Sequence, residues 1–349
     1  MKILGIETSC DETAMSVLEI KDGKVKVLSN AISSQVKLHA KYGGVVPNLA
    51  AREHVKNIEH VFKLAIRKSK SRLDDIDLIA VTRGPGLGPA LLVGIAFAKT
   101  LAWKHDKPLI GVNHMEGHIA SNFLKKVGGI SNFQFPISKK DSPILNLIVS
   151  GGHTELVLME DYGKYKIIGE TMDDAVGEAF DKVARLLGLG YPGGPIISKL
   201  AEKGNPDHYP LPSPMIYLKN YNFSYSGLKT AVLYLLKDLN LKKIDNQTKA
   251  DIAVSFQTAA FKVLLHKTIK AAKEYKVKSI FLSGGVSANK QLRIELEKAA
   301  KELKVNYSQP ELEYTGDNAA MIALAGYFNY LGNKKTDWQS VDMDANLGF

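Results

Sequence analysis

The sequence predicts an α/β protein of two related lobes, each a mixed sheet flanked by helices, with a cleft between them. Three observations predict it. A block of strand, polar turn, strand and strand opens the chain and recurs from about residue 144. Helical and strand periodicities alternate after each block. A length of 349 residues exceeds one ordinary domain and falls short of three. The expected division gives residues 1–113 to the first lobe and 114–349 to the second, with the segment from about 310 returning toward the cleft and the first lobe.

Residues 1–6 read as a short buried strand and 14–20 as its antiparallel partner, separated by the turn Glu7-Thr8-Ser9-Cys10-Asp11-Glu12-Thr13. A third strand follows over 24–33. The spacing of Leu49, Val55, Ile58, Val61, Phe62, Ala65 and Ile66 predicts a helix over 48–69 with a broad apolar face, which makes it a candidate partner surface. A strand over 78–81 leads through Arg83-Gly84-Pro85-Gly86-Leu87-Gly88-Pro89 into a small-residue helix over 90–105. The strand over 108–112 runs directly into the histidine segment Asn113 to His118. After a polar stretch over 128–141 the opening pattern returns, with strands over 144–149, 155–159 and 165–170 around the turn Ser150-Gly151-Gly152-His153-Thr154. A late strand over 279–282 runs into Ser283-Gly284-Gly285-Val286-Ser287-Ala288-Asn289, and a helix starts near Lys290.

Composition narrows the class. No apolar run approaches the roughly 20 residues of a membrane span. The N-terminus turns polar too early for a signal peptide. The one cysteine, Cys10, has no partner for an internal disulfide, which fits a reducing, cytoplasmic setting. The formal charge of +10 invites a nucleic-acid partner. Lysine rather than arginine supplies most of it, and scattered lysines also describe an ordinary solvated face. Two local basic runs stand out, Lys63-Arg67-Lys68-Lys70-Arg72 and Lys262 to Lys278.

Both glycine-rich turns follow strands, where converging backbone amides bind anions and glycine permits close approach. The Ser150 turn reads as a phosphate cradle and the Ser283 turn as a nucleotide shelf, with Asn289 either capping the next helix or reaching a ligand. Neither is a P-loop, since no Gly-Lys-Ser/Thr follows, and Gly84 to Gly88 lacks dinucleotide spacing. Their glycines fit close packing of the helix that follows. His114-Met115-Glu116-Gly117-His118 sets two imidazoles at i and i+4, one helical face and one shared ion. A zinc protease needs Glu directly after the first His, and Glu116 stands two places on. An acidic third ligand is expected. Asp317 is the best candidate, although an N-cap role is equally natural there.

Ordered segments from Ile6 to about Ala323 resemble the universal tRNA threonylcarbamoyladenosine synthesis family in its bacterial TsaD branch. They include Ile6 to Thr13, Gly43-Gly44-Val45-Val46-Pro47, Ala51-Arg52-Glu53-His54, Thr82 to Gly86, Asn113 to His118 and Val149 to Thr154. Phe180-Asp181-Lys182, Tyr191-Pro192-Gly193-Gly194-Pro195, Phe223 to Thr230 and the surroundings of Asp317 complete the set. The other branch usually carries Asn where His153 stands. The resemblance implies an actin-like ATPase (ASKHA) fold and one divalent metal, iron or alternatively zinc, on His114, His118 and Asp317. It implies a donor pocket of Val149, Ser150, Gly151, Gly152, His153, Asp181, Gly194 and Asn289, taking an ATP/AMP-type nucleotide as part of threonylcarbamoyl-adenylate. Leu147 and Ile148 stand near where the archaeal branch has a further tyrosine ligand, so no fourth protein ligand is assigned. The implied reaction is acyl transfer to a tRNA adenosine amine at the position 3′ to the anticodon, in tRNAs reading codons that begin with A. Asp11 and Glu12 are the candidate base or positioner, with an Asx-turn as the structural alternative for Asp11. Implied partners are tRNA, a paralogous TsaB-like subunit and a TsaE-like ATPase. The rival readings are a sugar- or acetate-kinase-like phosphotransferase of the same fold, a metalloprotease and a non-catalytic scaffold. The first is opposed by magnesium's preference for oxygen ligands.

Overall fold

The computed structural model describes residues 1–132, 137–239, 244–332 and 337–349. The chain forms two compact units, one of Met1–Ser138, Asp161–Tyr165 and Pro310–Phe349, the other of Lys139–Glu160 and Lys166–Gln309.

The first unit opens with β1 (Lys2–Glu7), β2 (Glu12–Lys21) and β3 (Lys24–Ser34), an antiparallel meander whose inward residues are almost wholly apolar. A short helix α1 (Val36–His39) precedes α2 (Pro47–Ser69), which starts on Pro47 and ends where Lys70 takes the left-handed conformation. The broad apolar face of α2 is mainly core: Ile58, Val61 and Ala65 are buried and Phe62 meets Phe97 edge to face, while Val55 is left exposed. Strand β4 (Leu78–Gly84), helix α3 (Gly88–His105) and strand β5 (Leu109–Asn113) follow. Helix α4 (His114–Ala120) begins with no intervening loop. Strand β6 (Ile130–Asn132) then pairs antiparallel with β3 and completes the six-stranded order β5-β4-β1-β2-β3-β6. That pairing keeps 114–138 with the first unit, so the division falls after Ser138 and not at the expected 113. Part of the expected polar connection, 133–136, lies outside the described residues.

The second unit repeats the plan with β7 (Ile144–Val149), β8 (Thr154–Asp161) and β9 (Lys164–Glu170), then α5 (Val176–Leu186), α6 (Gly193–Ala201), α7 (Ser226–Asp238) and α8 (Asn246–Glu274). Strand β10 (Ser279–Ser283) pairs parallel with β7. Helix α9 (Lys290–Leu303) and strand β11 (Asn306–Ser308) complete the order β11-β10-β7-β8-β9. In its core Phe180 meets Phe256 edge to face at 4.9 Å and stacks on Phe261 at 5.7 Å.

The last helix, α10 (Ala319–Leu331), belongs to the first unit. Ten of its residues are buried, and it lies so close on β1 that a Cβ at Gly5 would strike the Ala319 carbonyl and the Ala323 methyl. In each unit the parallel strands end at one edge of the sheet: β1, β4 and β5 in the first, β7 and β10 in the second. Ligands in open α/β sheets gather beyond such carboxyl ends.

Candidate metal centre and nucleotide pocket

In the first unit the carboxyl ends of β1, β4 and β5 bring Glu7, Thr82 and His114 together. Asn113 ends β5 and caps α4 by accepting from the Met115 amide at 2.7 Å, which starts the helix on His114. One turn later His118 lies on the same face, with ring centroids 4.7 Å apart. Gly117 admits the close neighbours Met321 and Ile322 of α10, since a Cβ there would crowd both. Asp317, just ahead of α10, sets Oδ1 3.4 Å from His114 Nε2 and 3.3 Å from His118 Nε2. The cap of α10 is Asn318, which accepts from the Met321 amide at 3.0 Å. The alternative role for Asp317 thus falls to its neighbour.

Ligand atoms of His114, His118 and Asp317 all lie within 4.8 Å of one another. Both ring nitrogens of His118 are buried without a hydrogen bond, which is costly unless something else takes a lone pair. Two imidazoles and one carboxylate are a donor set for a transition metal. These residues fit the expected ion. Burial alone would depress His114, but Asp317 and Glu7 outweigh it and hold the imidazole well above its usual range. Burial would raise Asp317, yet the two imidazoles keep it far below the ordinary carboxylate range. Burial holds His118 low, in the neutral form that ligation needs. Proton and cation therefore compete for one pocket of negative potential.

Glu116, the acid of the histidine segment, is buried with Oε2 accepting from Asn329 Nδ2 at 2.9 Å. It is absent from the ligand cluster. Around the 7–13 turn, Thr8 Oγ1 donates to the Ala90 carbonyl at 3.0 Å and the Leu87 amide to the Ser9 carbonyl at 2.8 Å. Glycines at 86 and 94 let the start of α3 approach that closely, as a Cβ at either would overlap Ser9 or Thr8. The close-packing reading of the Gly84 to Gly88 segment thus holds for Gly86. Asp11 is buried with Oδ2 unpartnered, and the Asx-turn alternative is not found among the described residues. Burial, with Asp317 and Asp11 adding repulsion, pushes Glu12 up to about 9, while Ser34 Oγ donates to its Oε1 at 2.9 Å.

The second unit holds a cavity of about 450 Å³ lined by Gly151, Phe180, Asp181, Pro192, Gly194 and Asn289 among others. The size suits a nucleotide-sized ligand. Gly151, Gly194 and Gly285 all line it, and a Cβ at any of the three would meet no protein atom. Neighbouring Gly177, Gly193 and Gly284 differ, because a Cβ there would strike Ser150, Ala184 or Val149. Packing therefore accounts for one set of glycines, while the other set faces the open space of the cavity. Asp181 Oδ1 accepts from the Gly193 amide at 2.6 Å and so fixes the start of α6. Burial nonetheless raises its carboxyl above the usual value, despite the Gly193 and Gly194 amides.

The Ser150 turn differs from the expected phosphate cradle. The Gly152 and His153 amides donate to Ser150 Oγ at 3.3 and 3.0 Å, turning inward. Of that turn Gly151 lines the cavity; Val149, Ser150, Gly152 and His153 do not. Asn289 both caps and lines: Oδ1 accepts from the Leu292 amide at 3.1 Å, and Nδ2 donates to Ser198 and Gln257. Sequence reasoning missed Glu7 and Gly285 as individuals. Glu7 is an acid ending an otherwise apolar strand, a signal that it has a buried partner.

Fold and site define a class, the actin-like ATPase fold carrying a His-His-Asp cluster and a nucleotide-sized cavity. The profile of the family described as TsaD, tRNA N6-adenosine threonylcarbamoyltransferase, matches residues 26–324, and the chain belongs to that family. A protein of that name from Thermosipho melanesiensis is 52% identical over 327 residues, 94% of each chain. One from Clostridioides difficile is 48% identical over 346 residues, covering 99% of this chain and 97% of the other. Among solved structures, T. kodakarensis HypF aligns with a TM-score of 0.59 at 17% identity, over 96% of this chain and 48% of that one. Component A of Acidaminococcus fermentans (R)-2-hydroxyglutaryl-CoA dehydratase aligns at 0.51 and 13%, over 94% and 98%. At such identities the likeness is one of fold.

Proposed function

We propose that the chain transfers the threonylcarbamoyl group of threonylcarbamoyl-adenylate to the exocyclic amine of a tRNA adenosine. The adenosine is the one 3′ to the anticodon in tRNAs reading codons that begin with A. The names of the relatives support the reaction class. The observation that carries the reading is the His114–His118–Asp317 cluster, because a kinase of this fold would hold magnesium through oxygen ligands. When bound, a divalent ion, iron or alternatively zinc, would polarise the donor and stabilise charge on the departing AMP.

The chemistry balances simply. The amine nitrogen forms a bond to the carbamoyl carbon, the carbon–oxygen bond of the mixed anhydride breaks, and AMP leaves with the electron pair. The amine's lone pair is delocalised into the purine, so alignment and proton removal dominate the barrier. Asp11 is the carboxylate proposed to position the amine or take its proton, with Glu12, whose burial and acidic neighbours favour its protonated form, as the alternative. The cavity at Gly151, Gly194 and Gly285 is the proposed seat of the adenylate. A TsaB-like subunit and a TsaE-like ATPase are proposed partners in the cytoplasm. Among the described residues no helix is long and apolar enough to cross a membrane.

The test is incubation with tRNA, threonine, bicarbonate, ATP and the accessory proteins, followed by mass spectrometry of the nucleosides. Threonylcarbamoyladenosine is the expected product. Its absence with every component present, alongside phosphorylation of a small molecule, would move the assignment to the kinases.

A further inference from the structure

Three donors converge on Glu7. The Ser9 amide donates to Oε1 at 2.5 Å, the Thr82 hydroxyl donates to Oε2 at 2.6 Å, and His114 Nδ1 lies 3.0 Å from the same Oε2. The side chain is fully buried. An ionised carboxylate is the one side chain of this shape that accepts from all three, because it carries acceptors alone.

We propose that Glu7 is the positioning residue of the metal centre: its carboxylate takes the Nδ1–H of His114 and fixes the tautomer that leaves Nε2, the nitrogen facing Asp317, bare for the ion. The inference rests on the metal reading above. The reasoning is one of proton bookkeeping. Neutral imidazole bears one N–H, and a metal needs the other nitrogen. Left to itself the proton could sit on Nε2 and block ligation. A fixed acceptor at Nδ1 removes that state, aims the ring and makes Nε2 more basic. The topology makes the acceptor rigid: Glu7 ends β1, Thr82 lies in the neighbouring parallel strand β4, and His114 follows directly from β5. His118 has no such partner, as both its nitrogens are buried without a hydrogen bond. The two ligands are thus unequal, His114 being set by the sheet and His118 by helix geometry.

A rival acceptor is present. Ser9 Oγ lies 3.2 Å from the same Nδ1, and a hydroxyl both donates and accepts, so it would leave the tautomer unfixed. The substitution Glu7→Gln discriminates sharply. If its oxygen faces His114 and Thr82, its NH₂ group meets the Ser9 amide, donor against donor. If it flips, NH₂ faces Nδ1 and drives the proton onto Nε2.

The test uses the full chain with zinc alone as probe. Histidine labelled with ¹⁵N reports the tautomer of the zinc-loaded parent, and chelator competition reports affinity. We expect a proton on His114 Nδ1 in the loaded parent. Glu7→Gln should lower zinc affinity 10- to 100-fold, and Ser9→Ala should leave it within about twofold. Circular dichroism of the ion-free variants confirms folding. A bare Nδ1 in the loaded parent overturns the proposal, and so does parental affinity in folded Glu7→Gln or a larger loss in Ser9→Ala. Should Glu7→Gln fail to fold, the parent spectrum decides alone. Failure of the parent to bind zinc, cobalt or ferrous iron would overturn the metal reading itself, a result distinct from the others.

Discussion

Replacing Gly194 with valine separates ligand clearance from packing. Gly194 lines the cavity of the second unit, and a Cβ built on it meets no protein atom within 4 Å. The folded protein therefore has room for the new side chain. Gly194 is the second residue of α6, where valine is a better helix former than glycine, so stability should rise by a few tenths of a kcal/mol to about 1 kcal/mol. A ligand in the cavity meets two extra methyl groups. Overfilling a packed site costs about 1–3 kcal/mol, which is roughly a 5- to 150-fold loss of affinity. Calorimetric titration with AMP and with a non-hydrolysable ATP analogue measures that loss, and thermal unfolding measures the fold. Gly193→Val is the contrast, since its Cβ would lie 2.5 Å from the Ala184 methyl and 2.8 Å from the Phe180 carbonyl. That variant should lose stability before it loses binding. Unchanged nucleotide affinity in folded Gly194→Val would refute the assignment of the cavity.

His114→Ala or His118→Ala should abolish most bound metal, measured by elemental analysis, with the fold intact by circular dichroism. Asp317→Asn should lose less, because an amide oxygen still coordinates weakly. Glu155 offers a stability test: it is buried on β8 with Oε2 unpartnered, and burial reinforced by Glu170 pushes it from 4.5 up to about 7. The fold keeps a proton that the unfolded chain gives up first, so stability falls as pH rises from 4.5 to 7 and then levels off. Glu155→Gln should accordingly change little at pH 4 and gain up to about 3 kcal/mol at pH 8, read from denaturation at both. Neutralising Lys63, Arg67 and Lys68 of α2 together with Lys70 at its C-cap, all exposed, should weaken tRNA binding and flatten its salt dependence, while metal and nucleotide binding stay unchanged.

The parts of this molecule most legible in its sequence are those with strict periodicity. Strand β3 alternates in its burial much as its residues alternate, and α4 begins at the first histidine because Asn113 caps it. Short edge strands such as β6 and β11 escape, since three residues hold no period. At the site, spacing places His114 and His118 together, but nothing local ties them to a carboxylate some 200 positions later. Residue order carried by the family resemblance supplied that link, and the fold puts Asp317 within 3.4 Å. The direction of the amides in the Ser150 turn was not legible in the sequence. A serine at its head can take the very amides that a phosphate would need, and sequence does not say which way they face.

The close approach of α10 to β1 couples the core to the chemistry. Gly5 stands two residues before Glu7, and Ala319 two residues after Asp317. Where Gly5 touches Ala319 and Ala323, the strand and helix are held at a spacing that only a missing side chain allows. That spacing sets the bite of the ligand set, as the width of a hinge sets the gape of a pair of tongs. A methyl group added at Gly5 would touch no ligand atom, yet it would pry Asp317 from the imidazoles. The geometry of the His-His-Asp cluster is in this sense written partly in alanines and a glycine, residues that no inventory of donors would include.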